Sequence, residues 1–542
     1  MIREPFNLNI KRSLLLMALC LPLLLFQACA VPTQSIQYTY VPFEQLSPAV
    51  HVEVEEYQPR PVAYGSFTLH YDPHSPLNPI TGFSSDNLII STLLYEPLFR
   101  LDNNLTALPV LAESWYSEDN ITHIITIHPD IMMSDGAVLS AQDVVYSITQ
   151  AMTTGRFMHR LQVIRTIRAI DELTLSIVLN NANRHLNNLL DVPIIRSGTI
   201  HMNTPPGTGP YIFSEYMRLY RFNLHRDYEL LPFRYIRLVY NSSVQLSELF
   251  DDRVLSLVWD DPGGVFEFRL NRFHEARFYN TTRLQFLGFN TRLAALRNPD
   301  VRSAIGHSVE REYIASEILP GLSLASPLAL PPSYRLYNTD WEFTAFDPFR
   351  EMAALLTRAG MIEDANGLFL LYPSIYGGFQ PFVIDFIVNR ENQFKVRAAH
   401  RISDTLARNG INAVVRELPW EDFLHALDSG DFDMFYGEAH MSPDFDFSPL
   451  LLPNGRLNFG GVGGEEYRTL IHNFLSATTD YEEEIAARAL VNDIRINAPF
   501  VPILYRRHVV YTPVGAISEA FPSQSGIFLD IANWTVNKSL LS

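Results

Sequence analysis

Two acidic side chains, a glycine run and a thiol are the groups here whose types and spacing suit chemistry. Ser442-Pro443-Asp444-Phe445-Asp446-Phe447 sets Asp444 and Asp446 in a proline-led, aromatic-flanked loop after the strand-like run Phe432 to Tyr436. A desolvated carboxylate there suits a cationic group such as an α-ammonium, through a charge-assisted hydrogen bond. An ordinary solvated turn, in which Asp favours the backbone conformation, accounts for the same residues equally well. Asn458-Phe459-Gly460-Gly461-Val462-Gly463-Gly464 lets backbone approach a partner closely. It lacks the Lys-Ser/Thr of a phosphate loop, and a flexible connector is the simpler reading.

No enzyme signature accompanies these loops. The sequence has no G-x-S-x-G elbow, H-E-x-x-H, P-loop or G-x-G-x-x-G turn. His274-Glu275 continues as Ala276-Arg277-Phe278, without the second histidine of a zinc helix, and the 16 histidines are scattered. The expectation is a binding protein with no catalytic residues, no cofactor and no protein-held metal. Of the 2 cysteines, Cys20 lies inside an apolar run and Cys29 at its end. Beyond Cys29 there is no thiol for a disulfide or a Cys-metal site.

The elements around these groups begin with an export signal. Arg3, Lys11 and Arg12 precede an apolar run from Leu14 to Phe26, then Gln27-Ala28-Cys29, the order of a secretory signal. The run is interrupted by Pro22 and is short of the ~20 apolar residues a bilayer span needs. Residues 30 to 63 carry five prolines among polar and acidic residues and read as a linker, with the folded body beginning near Tyr64. A net charge of −18 argues against nucleic acid as a partner.

From Tyr64 on, strand-like and helical runs alternate. Phe67 to Tyr71 and Ile121 to His128 read as strands; Asp86 to Leu94 and Ala141 to Met152 read as helices, the latter capped by Ser140. Further helices are expected over Val301 to Ile318, Pro348 to Ala359, Phe394 to Arg408, Trp420 to Leu427 and Tyr481 to Ile496. Gly207-Thr208-Gly209-Pro210-Tyr211 is a rigid turn entering a strand. Arg283 to Asn290 and Phe500 to Tyr511 are strand-like runs bracketing some two hundred residues, as paired strands at a hinge between lobes would be.

The chain resembles the family 5 solute-binding proteins of ABC importers, the oligopeptide, dipeptide and nickel receptors. Tyr95-Glu96-Pro97-Leu98 with Leu108 to Trp115, and Ser134-Asp135-Gly136 through Asp143-Val144-Val145-Tyr146-Ser147, are similar to that family's most specific stretches. The similarity continues through Gly207 to Tyr211, Asn298 to Ala304, Gly430 to Asp433 and Asn497 to Ile503. Cys29 after Ala28 resembles the lipobox of bacterial lipoproteins; without acylation it is a small residue at a cleavage site.

The resemblance implies an α/β, two-lobed periplasmic-binding-protein-like fold of type II, cluster C, with three domains and a hinge between lobes. Residues 1–28 are then a signal peptide and 29–63 a lipid-anchored linker. Domain I comprises 64–92, 203–285 and 509–542, domain II 93–202 and domain III 286–508. It implies an exported monomer, tethered through Cys29 and facing outside the cell or into the periplasm, that captures short peptides and hands them to an ABC permease and its ATPase subunits. It places a peptide's amino terminus on Asp444, with Asp446 as the alternative and Phe445 beside them. It also brings peptide main chain to Asn458, Phe459, Gly460 and Gly461. The usual Trp before the acidic loop is Met441 here. Peptide sensing without import, or nickel, haem or an oligosaccharide as ligand, remain open on the same fold.

Overall fold

The computed structural model describes residues 66–541 except 215, 242–244, 262, 264–269, 293, 343–346, 364–370, 374–376 and 463. The signal, Cys29 and the linker lie outside the described residues.

Three sheets organise the body. Phe67–His70 runs parallel to Tyr235–Val239, which continues antiparallel through Arg218–Arg221 to Tyr211–Ser214. Ala112–Tyr116, Thr122–Ile127, Thr174–Leu179 and Ile164–Ala169 form an antiparallel sheet. The third sheet has seven strands. His274–Phe289 is central to it, flanked by Phe500–Pro513 and Met434–His440, and Val383–Asn389 and Asn412–Leu418 add in parallel beyond. The two strand-like runs expected to pair across two hundred residues therefore do pair.

Apolar side chains collect around these sheets. Residues from Leu98 to Ile194 pack on the second sheet. Residues from 67–95, 195–257 and 510–541 pack on the first. Both faces of the third sheet are covered by residues 284–505, with Leu105 joining one of them.

Helix Ala141–Ala151 starts where Ser140 predicts: Asp143 Oδ2 accepts from the Ser140 amide at 3.0 Å, closing the first turn. Gly207 and Gly209 lie so close to Leu94 and Tyr95 that an added Cβ would sit 2.3 to 2.5 Å from the Tyr95 ring or the Leu94 backbone. The Tyr95-Glu96 stretch and the glycine turn are thus one packed unit.

The expected single helix over Val301 to Ile318 is broken. Pro299–His307 ends at Ser308, whose Oγ bonds the Ile305 carbonyl at 2.7 Å, and a short turn and a π-turn follow. A serine hydroxyl that competes for helical carbonyls favours such an end. Helix Glu465–Ser476 has no counterpart among the expected elements, although Tyr467, Ile471 and Phe474 recur at helical spacing and are buried.

Candidate functional site

Charged side chains gather on one face of the seven-stranded sheet, beyond the end of its apolar core. Side chains alternate along a strand, so Met434, Tyr436, Glu438 and His440 share a face of Met434–His440. The first two enter the apolar cluster and the last two emerge past it. On Phe500–Pro513, Leu504 belongs to that cluster while Arg506 and His508 continue its row.

A bulge sharpens this arrangement. Asn280 pairs with Arg507 and Leu284 with Tyr505, so Thr281, Thr282 and Arg283 stand opposite Arg506 alone. Extra residues in one strand bend it and re-aim its side chains. Thr281 Oγ1 donates to the Arg506 carbonyl at 2.7 Å, and the Thr282 amide donates to Gln524 Oε1 at 2.7 Å.

Glu438 is the centre of the cluster. Its carboxylate meets Arg283 Nη1 at 3.3 Å, Lys395 Nζ at 3.2 Å, Arg506 Nη1 at 3.4 Å and Gln285 Nε2 at 2.9 Å. Tyr436 donates its hydroxyl to Gln285 Oε1 at 2.8 Å and orients that amide. Burial alone would push the Glu438 carboxyl up; Lys395, Gln285 and Arg283 outweigh it and hold the group below the usual range. Lys395 comes from the first turn of helix Gln393–Arg408, where Asn392 caps the Lys395 amide at 3.0 Å and donates to the Gly263 carbonyl at 3.1 Å.

From the edge of the sheet, Asp261 pairs with the Arg506 guanidinium and lies 3.5 Å from His508 Nε2. Burial raises Asp260 to about 7 against the pull of Arg506. Burial, then the neighbouring cations, lower His440 to about 4 and His508 to about 3. Both imidazoles are therefore neutral at physiological pH. Arg160 and Asp191, from the second sheet's region, are within electrostatic range of His440. Although hemmed in by these groups, His440 is accessible to solvent. Two parts of the chain meet here: the seven-stranded sheet, with its edge strand Val258–Asp260 and the adjoining Asp261, and the region of Arg160 and Asp191.

The acidic loop lies just past His440. Asp444 is 1% exposed, and its Oδ2 accepts from Asn183 Nδ2 at 2.8 Å. Its Oδ1 accepts from the Asp446 amide at 3.3 Å. Asp446 Oδ1 accepts from the Ser448 amide at 2.8 Å, and burial beside Asp444 raises Asp446 to about 6. Phe445 has no exposed surface and packs against Tyr334 with centroids 4.5 Å apart and ring planes tilted by 50°, so its place is in the apolar core.

The glycine loop is elsewhere, at the Phe289 end of the sheet. Asn458 closes the loop on itself, donating to the carbonyls of Leu452, at 2.7 Å, and Val462, and accepting from the Val462 amide at 3.0 Å. Phe459 packs on Phe435, 6.1 Å between centroids. The Gly460 carbonyl accepts from the Thr291 amide at 2.8 Å and its hydroxyl at 2.6 Å; Gly461 has φ 71°. Met434 pairs with Phe289 and His440 with Arg283, so a strand of ~20 Å separates the two loops at ~3.3 Å per residue. The structure does not bring them together. It brings together Arg283, Lys395, Glu438, His440, Arg506 and His508, which sequence reasoning passed over. Their signal was charge at alternate positions inside apolar strands, Glu438-Ala439-His440 and Arg506-Arg507-His508.

Among the described residues no three His, Cys, Asp or Glu converge as metal ligands. No helix among them is long and apolar enough to cross a membrane.

Comparison with known proteins supplies the context. The family profile described as "Bacterial extracellular solute-binding proteins, family 5 Middle" matches residues 106–456. The peptide transport periplasmic protein SapA of Salmonella typhimurium is 23% identical over 479 residues, 78% of this chain and 83% of that protein. The nickel-binding periplasmic protein of Escherichia coli is 24% identical over 312 residues, 53% of this chain; the match spans 59% of that relative's length. Among solved structures, the murein tripeptide binding protein MppA in its unliganded open form superposes with a TM-score of 0.71 at 14% identity, covering 88% of this chain and 98% of that one. The fold is the two-lobed periplasmic-binding fold.

Proposed function

The chain belongs to the bacterial extracellular solute-binding proteins, family 5, and on that premise we propose that it captures a short peptide between its lobes for delivery to an ABC permease. Its family comprises solute-binding proteins, not enzymes. The observation that carries the ligand reading is the wall of Arg283, Lys395, Glu438 and Arg506 where the seven-stranded sheet meets the region of Arg160 and Asp191. It offers fixed cations and fixed carboxylates within one side chain's reach, which suits a zwitterion with both termini free. A solute touching both lobes favours the closed arrangement by its differential affinity for it. The names of the peptide, dipeptide and glutathione relatives support the same class.

The domain division stated from the sequence stands as part of this proposal, supported by the separate apolar clusters of 98–194 and 284–505. So does acylation of Cys29, supported by the signal-like order before it. Asp444 acts differently in this reading. With Asn183 on one oxygen, it holds the two regions together rather than gripping the solute.

Mass spectrometry of solute retained by protein purified under native conditions tests the proposal. Short peptides released on unfolding are the expected result. A chelated metal or a sugar in their place would overturn the peptide class while leaving the family unaffected.

A further inference from the structure

Arg506 is 2% exposed, yet among the described residues its Nε has no hydrogen-bond partner and its Nη1 reaches Glu438 only at 3.4 to 3.5 Å. A buried guanidinium with an unused donor is costly, because its five N–H groups form a fork that a planar carboxylate satisfies two at a time. The bulge opposite Arg506 fixes its backbone, and Gly263 packs its backbone directly against the head. An added Cβ at Gly263 would lie 2.8 to 3.0 Å from the guanidinium atoms.

Asp261 is the group now paired with this fork, and it is the more exposed partner, at 26% against 2%. It follows directly on the short edge strand Val258–Asp260. Charge points the same way. Arg283, Lys395 and Arg506 surround Glu438 and Asp261, three cations against two anions. Asp260 holds its proton up to about neutral pH through burial, and the two imidazoles stay uncharged. The cluster has room for one more negative charge.

We propose that Arg506 is the anchor for a carboxylate of the captured solute, which takes the place on the guanidinium that Asp261 holds in this structure. The inference rests on this cluster being the solute site, and within the peptide reading the carboxylate is the C-terminal one. Asp261 then acts as an internal stand-in. It keeps Arg506 paired between captures and sets affinity by competing with the solute.

The test uses the folded protein, wild type, Arg506→Gln, Arg506→Lys and Asp261→Asn. Calorimetry is run with synthetic tri- to pentapeptides, each as free acid and as C-terminal amide, and with succinate, citrate and L-histidine as non-peptide carboxylates. Wild type should prefer the free acids by on the order of a hundredfold, the scale of losing one partner of a buried charge pair. Arg506→Gln should abolish the preference and Arg506→Lys restore part of it. Asp261→Asn, at a more exposed position that tolerates an amide, should tighten binding of the acids and not of the amides. It also keeps the proposal open to test if Arg506→Gln does not fold. Equal binding of acids and amides by wild type, or no gain in Asp261→Asn, overturns it. If peptides fail but a non-peptide carboxylate binds and responds to both positions, the peptide reading falls and the Arg506 assignment stands. If no carboxylate binds wild type at all, the assignment falls.

Discussion

Asn183 Nδ2 donates to Asp444 Oδ2 at 2.8 Å, joining side chains 261 residues apart in an environment where Asp444 is 1% exposed. Asn188 Nδ2 donates to the adjacent Pro443 carbonyl at 2.9 Å, so the acidic loop is held twice by the same segment. A carboxylate without a donor in such surroundings is costly.

Asn183→Ala should therefore destabilise the protein by about 2 kcal/mol, the range of a hydrogen bond to a charged group, read from denaturant midpoints. Asn183→Asp should be worse, since it sets two carboxylates together. Asp444→Asn should lower stability while leaving the ratio of affinities for free and N-acetylated peptides unchanged. A loss confined to the free peptides would return Asp444 to the amine-binding role suggested by resemblance.

Glu483 is fully buried between Arg184 Nη1 at 3.1 Å, His185 Nε2 at 3.3 Å and the Arg335 guanidinium. Glu483→Gln leaves the Arg335 guanidinium without its carboxylate and Arg184 with only the exposed Asp480, at 2.7 Å. Breaking a buried pair typically costs ~3 kcal/mol or more, here reduced because Arg335 is 38% exposed. Chemical denaturation should show the loss, and a further Arg335→Leu should recover part of it.

Burial, then Arg335 and Arg184, lower His185 from 6.5 to about 3. Between those two values the unfolded chain binds a proton that the folded chain refuses, so stability falls as pH drops from 6.5 toward 3. His185→Gln removes this contribution. Melting temperatures from pH 7 to pH 4 should decline less steeply in the variant than in wild type, and parallel curves would rule out the effect.

Gly460 lies against the Phe289 carbonyl, where an added Cβ would be 1.8 Å from the oxygen. The contact is with backbone and cannot be relieved by a side-chain rotation. Gly460→Ala should cost about 2 kcal/mol or more, measured as a fall in denaturation midpoint, with little change in the affinity ratios of bound peptides. A large change in binding at unchanged stability would place this loop at the solute.

The helix start at Ser140 and the strands that pair, Phe500–Pro513 with His274–Phe289, were legible because each element depends on local composition or period. Helix Glu465–Ser476 had the period but followed a glycine run that read as connector. Asp444 was conspicuous in sequence as an acid in a proline-led loop, yet nothing local could show that Asn183 would reach it from 261 positions away. Arg506, Glu438 and Lys395 were the reverse case, ordinary charges along a strand or at a helix start.

By itself the chain marked several of the strands and helices, and its order of stretches pointed to the family, because periodicity and turn chemistry act within a few residues. Only the tertiary structure decided which charges meet. The bulge at Thr281–Arg283 aims one strand's side chains at Arg506, and the strand Met434–His440 separates the acidic loop from the glycine loop. Electrostatic contact is a property of distance in space, and in this protein those distances are set by sheet register across hundreds of residues.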